Sequence, residues 1–385
     1  MTTTQPRQRD VLKGMGHVRE EERDDWWRTW LVRTTALLIG TLALGIAFIW
    51  AYAGVLHDPT PRDLPVGVVR GDTAAETLLA AVRSQSNTIE PVVYADLTAA
   101  ADALERRSIY AIVGSADVGG AGLTLTTASA SGPAATDVIT QTLTEVADGA
   151  QASMTVVDAV PASSGDSRGL VPFYVVVGLV LAGYLASTAL GLNLGTVPRN
   201  LDRAAMRIAA LAIFSSLAGI AAALVTGPIL NIFTEHRPGL AIAGALITFA
   251  SAMIASAVQG WLGLLGTGLV ILLLVVLGNP GSGGIYPPEF LPPFFRSMHN
   301  WNIPGLGVDL VKSVVYFERK AAAWPITALT FWALLGVGGL LGATAVLGRR
   351  AHRPAESPAG PAEPAEPADE PTQIGEPGGP TVEQA

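Results

Sequence analysis

Residues 262–298 read LGLLGTGLVILLLVVLGNPGSGGIYPPEFLPPFFRSM, and the two halves of this stretch demand different surroundings. The first half carries no charge and suits the interior of a bilayer. The second cannot continue as a helix, because its prolines remove backbone donors and its glycines cost helical order. It is nevertheless too apolar for a solvated loop. Irregular backbone near a membrane is tolerated only where protein or water satisfies its polar groups. The chain therefore reads as membrane helices interrupted by a broken segment at one surface.

The rest of the chain agrees. Half of the 385 residues are apolar, 15% are charged and the mean hydropathy is +0.41, which points to a membrane protein. Six runs approach the roughly 20 residues that cross a bilayer: 34–56, 170–195, 208–233, 240–258, 261–277 and 324–347. The fourth and fifth, joined only by QGW, read as a tight hairpin or a partly re-entrant pair. Lys and Arg collect before the first run, in the loop holding Arg199, Arg203 and Arg207, and at Arg349, Arg350 and Arg353. With six spans these clusters share one side, so both termini are expected in the cytoplasm. Ala51–Ala53 offer an A-x-A pattern, but the apolar run before it is longer than a signal peptide's, and an uncleaved anchor is expected. In the arm 1–33, the Trp and Arg residues of EERDDWWRTWLVR fit an interfacial belt on the lipid bilayer or a docking helix. The tail 348–385 is Pro/Ala/Glu low complexity and carries most of the net charge of −8, so disorder is expected there.

Residues 57–169 differ in character. Alternating and helical patterns follow one another as β-α-β-α-β-β-α, ending in a long helix over 134–154 that leads back to the membrane. This is a small extracytoplasmic α/β domain, without cysteines to crosslink it. Asp72, Asp96 and Asp102 are better explained as helix caps than as a catalytic set.

Chemistry is conspicuously missing. No phosphate-binding loop, nucleophile elbow or metal-binding His pair occurs, so no enzyme activity, cofactor or metal is expected, and no basic stripe suggests nucleic acid. The six runs hold no Asp, Glu, Lys, Arg or His, which argues against a proton-coupled carrier. Asn193, Asn231 and Gln259 read as interhelical hydrogen-bonding residues. Gly191 with Gly195, and Gly338 with Gly342, have GxxxG spacing, which suits close helix packing within one chain or across a homodimer.

The anchor span, small domain and five-span block, with LPVGVVRGD (64–72), ALERRSIYAIVG (103–114) and GNPGSGGIYPPEFLPPFFRSM (278–298), resemble the ABC-2-type transporter permease superfamily, and most closely its phage-infection-protein-like bacterial branch. The resemblance covers roughly residues 30–348. It implies a bacterial plasma-membrane protein for export or membrane remodelling, two copies forming a path. It also implies a separate ATP-binding subunit docking on the arm and on a coupling loop of Arg199, Asp202, Arg203 and Arg207. The expected function is translocation of a hydrophobic or amphipathic substrate; a non-transporting envelope scaffold or surface receptor is the alternative.

For the broken segment, 278–323, a passive interfacial loop and a gate are both open readings. As a gate, Asn279 and Pro280 end the fifth span and Gly281, Gly283 and Gly284 reverse the chain. Tyr286, Pro287, Pro288, Pro292 and Pro293 then frame a short apolar helix, with Phe290, Phe294 and Phe295 in the membrane interface. Valine at Gly283 and Gly284 would abolish transport without harming insertion. VDLVKSVVYF (308–317) is expected to be amphipathic.

Overall fold

The computed structural model describes residues 8–116 and 122–348, the first nineteen of them and Leu264 by backbone alone. The tail and Arg349, Arg350 and Arg353 lie outside the described residues, as does the side chain of Trp26. Among the described residues, five helices are long and apolar enough to cross a membrane. They are α1 (Gln8–Leu56), α5 (Val171–Leu194), α6 (Leu201–Leu224, extended by a π turn to Ile229), α7 (Arg237–Leu262) and α11 (Ala323–Leu347). Arm and first span are one uninterrupted helix.

The expected sixth span is shorter. α7 runs past QGW to Leu262, and Gly263 breaks it at φ 59°. After it, α8 (Leu264–Ile271) and a π turn (Leu272–Leu277) make one short apolar helix. At 1.5 Å per residue this reaches about 20 Å, short of the ~30 Å hydrocarbon core.

α7 is the centre of the membrane block and packs against α5, α6, α11 and α10 (Ile303–Tyr316). It serves this role because its buried residues are mostly Ala, Gly, Ser and Thr, which let backbones approach. A Cβ placed on Gly183 of α5 would lie 2.5 Å from Thr248 O, and one on Gly336 of α11 2.5 Å from Met253 C. At Gly219 of α6 it would collide with Ala241 O and sit 2.6 Å from Ala245 N. Within one copy, the pairs picked out by spacing are less tightly packed. A Cβ on Gly338 would meet nothing within 4 Å, one on Gly342 would lie 3.5 Å from the Trp261 ring, and Gly195 (φ 85°) ends α5. Gly191 is buried, and a Cβ there would lie 3.6 Å from Gln259 Oε1.

Gln259 does join helices. Its Oε1 accepts from Ser187, whose Oγ lies 2.7 Å from Ser256 Oγ, and its Nε2 donates to Thr188 Oγ1 at 2.7 Å. Asn193 instead donates to Ala189 O of its own helix, and Asn231 is a left-handed residue closing the turn after α6 (φ 55°).

The α/β domain is a five-stranded sheet of order β2-β1-β3-β4-β5: β1 Leu64–Val69, β2 Ile89–Tyr94, β3 Ala111–Ser115, β4 Gly122–Thr127 and β5 Ser153–Asp158. β3 and β4 are antiparallel; the other pairs are parallel. The fifth strand corrects the expected 134–154 helix. That helix, α4 (Pro133–Gly149), stops at Gly149, and Gln151 (φ 57°) turns the chain into β5. α4 and α2 (Thr73–Gln85) cover one face of the sheet, and α3 (Leu97–Glu105) the other. Asp72 and Asp96 cap α2 and α3 by accepting from Ala75 N and Ala99 N, whereas Asp102 pairs with Arg106 one turn on.

Candidate functional site

The broken segment is the joint between this domain and the membrane block. Residues 278–284 are buried; Pro280–Ser282 form a single 3₁₀ turn, and Gly283 takes the left-handed conformation (φ 68°). Asn302 caps α10 (Ile303–Tyr316), accepting from Gly305 N at 2.6 Å, and its amide reaches back to Gly281 O at 3.1 Å. Pro287 is buried against Gly132 of the domain, and Tyr286 stacks on Phe290, 5.8 Å between centroids. Phe290 belongs to the domain core and Phe295 packs with Ala51 and Val55 of α1, so of the three phenylalanines only Phe294 is exposed. Pro292 and Pro293 are exposed at the start of α9 (Pro293–His299). A Val pair at Gly283 and Gly284 would not leave the fold intact. A Cβ on Gly284 lies 2.7 Å from Phe173 Cβ, and one on Gly283 lies 2.8 Å from His299 Cε1 on a backbone that disfavours side chains.

α10 departs further from expectation. Instead of presenting a wet face, it is buried all round, between the domain and α5, α7 and α11. Its two charges therefore meet protein. Asp309 accepts from Arg107 Nη2 at 2.9 Å and lies 3.0 Å from His299 Nε2. Lys312 donates to Ser131 O of the domain at 3.0 Å. Nearby, Tyr110 donates to Glu289 at 2.7 Å and Tyr316 to Asp166 at 2.8 Å. Three elements of the domain are thereby tied to α10 and to the broken segment.

Burial opposes ionisation of Asp309, but His299 and Arg107 outweigh it and hold the carboxyl well below the usual range. Burial, with Arg107 adding to it, pushes Lys312 down to about 8, against the pull of Asp309, Asp166 and Glu289. Burial and Glu289 push the Tyr110 phenol up, and burial with Asp166 does the same to Tyr316.

Because folded Asp309 sheds its proton more readily, the unfolded chain binds more protons below the ordinary value of 3.8. The stability it contributes is full above that value and lost as pH falls further. The domain is thus expected to loosen from the membrane block below about pH 4. Faster amide exchange in α10 at low pH, absent in Asp309→Asn, checks this.

The other predicted site lies at the far end of α5 and α6. Asn200 caps α6 by accepting from Arg203 N at 3.0 Å, and Asp202 sits in the first turn, where a negative charge is favoured. Arg207 is buried and donates to Gly195 O at 2.5 Å and Thr196 O at 3.0 Å. It therefore braces the loop from within, while Arg199 and Arg203 stay exposed on a recess of about 770 Å³. Arg207→Leu leaves two carbonyls unpaired, at about 1–3 kcal/mol. Trypsin is expected to cut at Arg199 several times faster in that variant.

No family model, curated protein or solved structure matches this chain. Its chemistry must be read from the two sites themselves. The junction holds no nucleophile beside a base, and among the described residues no cluster of His, Asp and Glu could hold a metal. What the junction does is join, through charges brought together from three parts of the sequence. The arrangement has only a faint local signal: RR at 106–107, and Asp309 and Lys312 three apart in an otherwise apolar helix.

Proposed function

We propose that the chain is the membrane subunit of a permease-like assembly of the ABC-2 type. It moves a hydrophobic or amphipathic substrate across a bacterial plasma membrane, with both termini cytoplasmic and the α/β domain outside. Two copies flank the path and a separate ATP-binding subunit supplies the energy. The observation that carries the reading is the braced loop between α5 and α6. A loop that only set topology would need arginines but no buried Arg207 holding its backbone. Its recess, rimmed by Arg199 and Arg203, offers a fixed basic surface to an acidic face of a partner.

Two features support the nature of the substrate. The helix interiors 34–56, 171–194, 208–229, 238–262 and 323–347 carry no Asp, Glu, Lys, Arg or His, which suits a largely apolar cargo. α1 is largely exposed from Trp27 to Trp50 and packs through its C-terminal turns against the short helix 264–277 and against Leu291 and Phe295, leaving lateral faces for lipid or a second copy. The test is co-reconstitution with an ATP-binding subunit. Substrate-stimulated hydrolysis is expected to fall at least about tenfold when Arg199 and Arg203 are both reversed to Glu. Absence of any stimulation, with every candidate subunit, sinks the proposal.

A scaffold or receptor is the second reading, favoured by β5. Val156 and Val157 are exposed on this edge strand, a surface suited to strand pairing. Removing the domain is a poor discriminator, because it strips Asp309 of Arg107. Val157→Lys is the cleaner test: a receptor loses its function and a permease keeps it.

A further inference from the structure

A cavity of about 370 Å³ opens at the junction, between the domain, α9 and the head of α11. Arg106, Arg107, Arg296 and His299 line it, together with Glu289 and Asp309. The two carboxylates already have partners: Asp309 holds Arg107 and His299, and Glu289 accepts from Tyr110. Arg106 reaches outward to Asp102 at 3.0 Å in an exposed pair worth little. Arg296 is different. It is half-buried in the last turn of α9, and its guanidinium has no hydrogen bond or ion pair among the described residues. A guanidinium has five donors in a planar fork, which matches the oxygens of a phosphate.

The cavity also lies at a telling depth. Trp324, in the first turn of α11, forms part of its wall and meets Trp301 edge to face at 5.2 Å. Both rings are about half exposed, and Phe294 on α9 is exposed as well. Exposed tryptophans at the head of an apolar helix mark the level of lipid headgroups. We propose that this cavity binds a phosphate group, held by Arg296 with Arg106 at its flank. When the phosphate belongs to a lipid, the acyl chains leave past Trp324 and Trp301 into the bilayer. The site does not depend on transport by this chain.

The experiment uses the full chain in maltoside micelles, with intrinsic tryptophan fluorescence and native mass spectrometry as readouts. Dihexanoylphosphatidylglycerol, inorganic phosphate and phosphate-free dihexanoylglycerol are titrated separately. Saturable binding of the phospholipid is expected, weakened at least about tenfold by Arg296→Gln at unchanged melting temperature. Phosphate binding at least about tenfold weaker assigns the site to a lipid headgroup; equal affinities assign it to free phosphate. Should Arg296→Gln fail to fold, Arg106→Gln carries the test, with a loss of about threefold expected. Unchanged affinity in the folded variant, no binding of either phosphate compound, or equal binding of dihexanoylglycerol overturns the proposal.

Discussion

Replacing Asp309 with alanine is expected to destabilise the protein by about 3–5 kcal/mol, towards the lower end because a fifth of its side chain is exposed. The loss comes less from the ion pairs themselves than from what remains. Arg107 is left buried with no carboxylate, His299 loses its Nε2 partner, and Lys312 loses a neighbour that favours its charge. The variant should melt at lower temperature in detergent, and protease should release the α/β domain while the membrane helices stay intact. Arg107→Ala alone leaves Asp309 with His299 and should cost less. The double variant should cost less than the sum of the two singles, since the pair acts as a unit. Full additivity would show that Arg107 and Asp309 are not coupled, leaving the junction to its other hydrogen bonds and its apolar contacts.

Gly219→Leu is expected to have a comparable effect by a different route. Even a Cβ at this position collides with Ala241 O, so α6 and α7 cannot keep their spacing. Overpacking typically costs about 1–3 kcal/mol, and here the obstacle is backbone, which cannot rotate away. Gly338→Ala makes the contrast. Nothing lies within 4 Å of that Cβ, so alanine should stabilise α11 by about 0.5–1 kcal/mol. Thermal melts of the two variants check both. A loss at Gly338 would instead reveal a second copy seated on that face, as a homodimer requires.

These contrasts show what the sequence could and could not tell. Hydropathy located the long helices, and alternation located four strands, because both patterns are local and each repeats within a few residues. β5 was hidden because SMTVVD follows the α4 pattern after a turn made by Gln151 rather than by a second glycine. The break at Gly263 was invisible because apolar residues continue on both sides of it. Spacing did not single out the glycines that meet α7: Gly338 and Gly342 fit the motif, but Gly336 and Gly339 face that helix. The junction was the hardest part. Arg107 and Asp309 are 202 residues apart, and a charge on a short apolar helix looks the same whether it will face water or protein. Only the fold distinguishes them. The loop arginines were legible as a cluster, yet nothing local separated the buried Arg207 from the exposed Arg199 and Arg203.

The same separation sets an order of events during biosynthesis. At roughly 5–20 residues per second, Arg107 emerges about 10–40 s before Asp309 is synthesised. In that interval the α/β domain must stand with Arg107, Ser131 and Tyr110 uncovered by α10. α1 waits longer still, since Ala51 and Val55 in its final turns pack on Val276 and Phe295. The nascent protein is thus two pieces and an unfilled seam until α10 has been made. A ribosome that stalled after α7 would leave that seam open, its unpaired charges a handle for quality control.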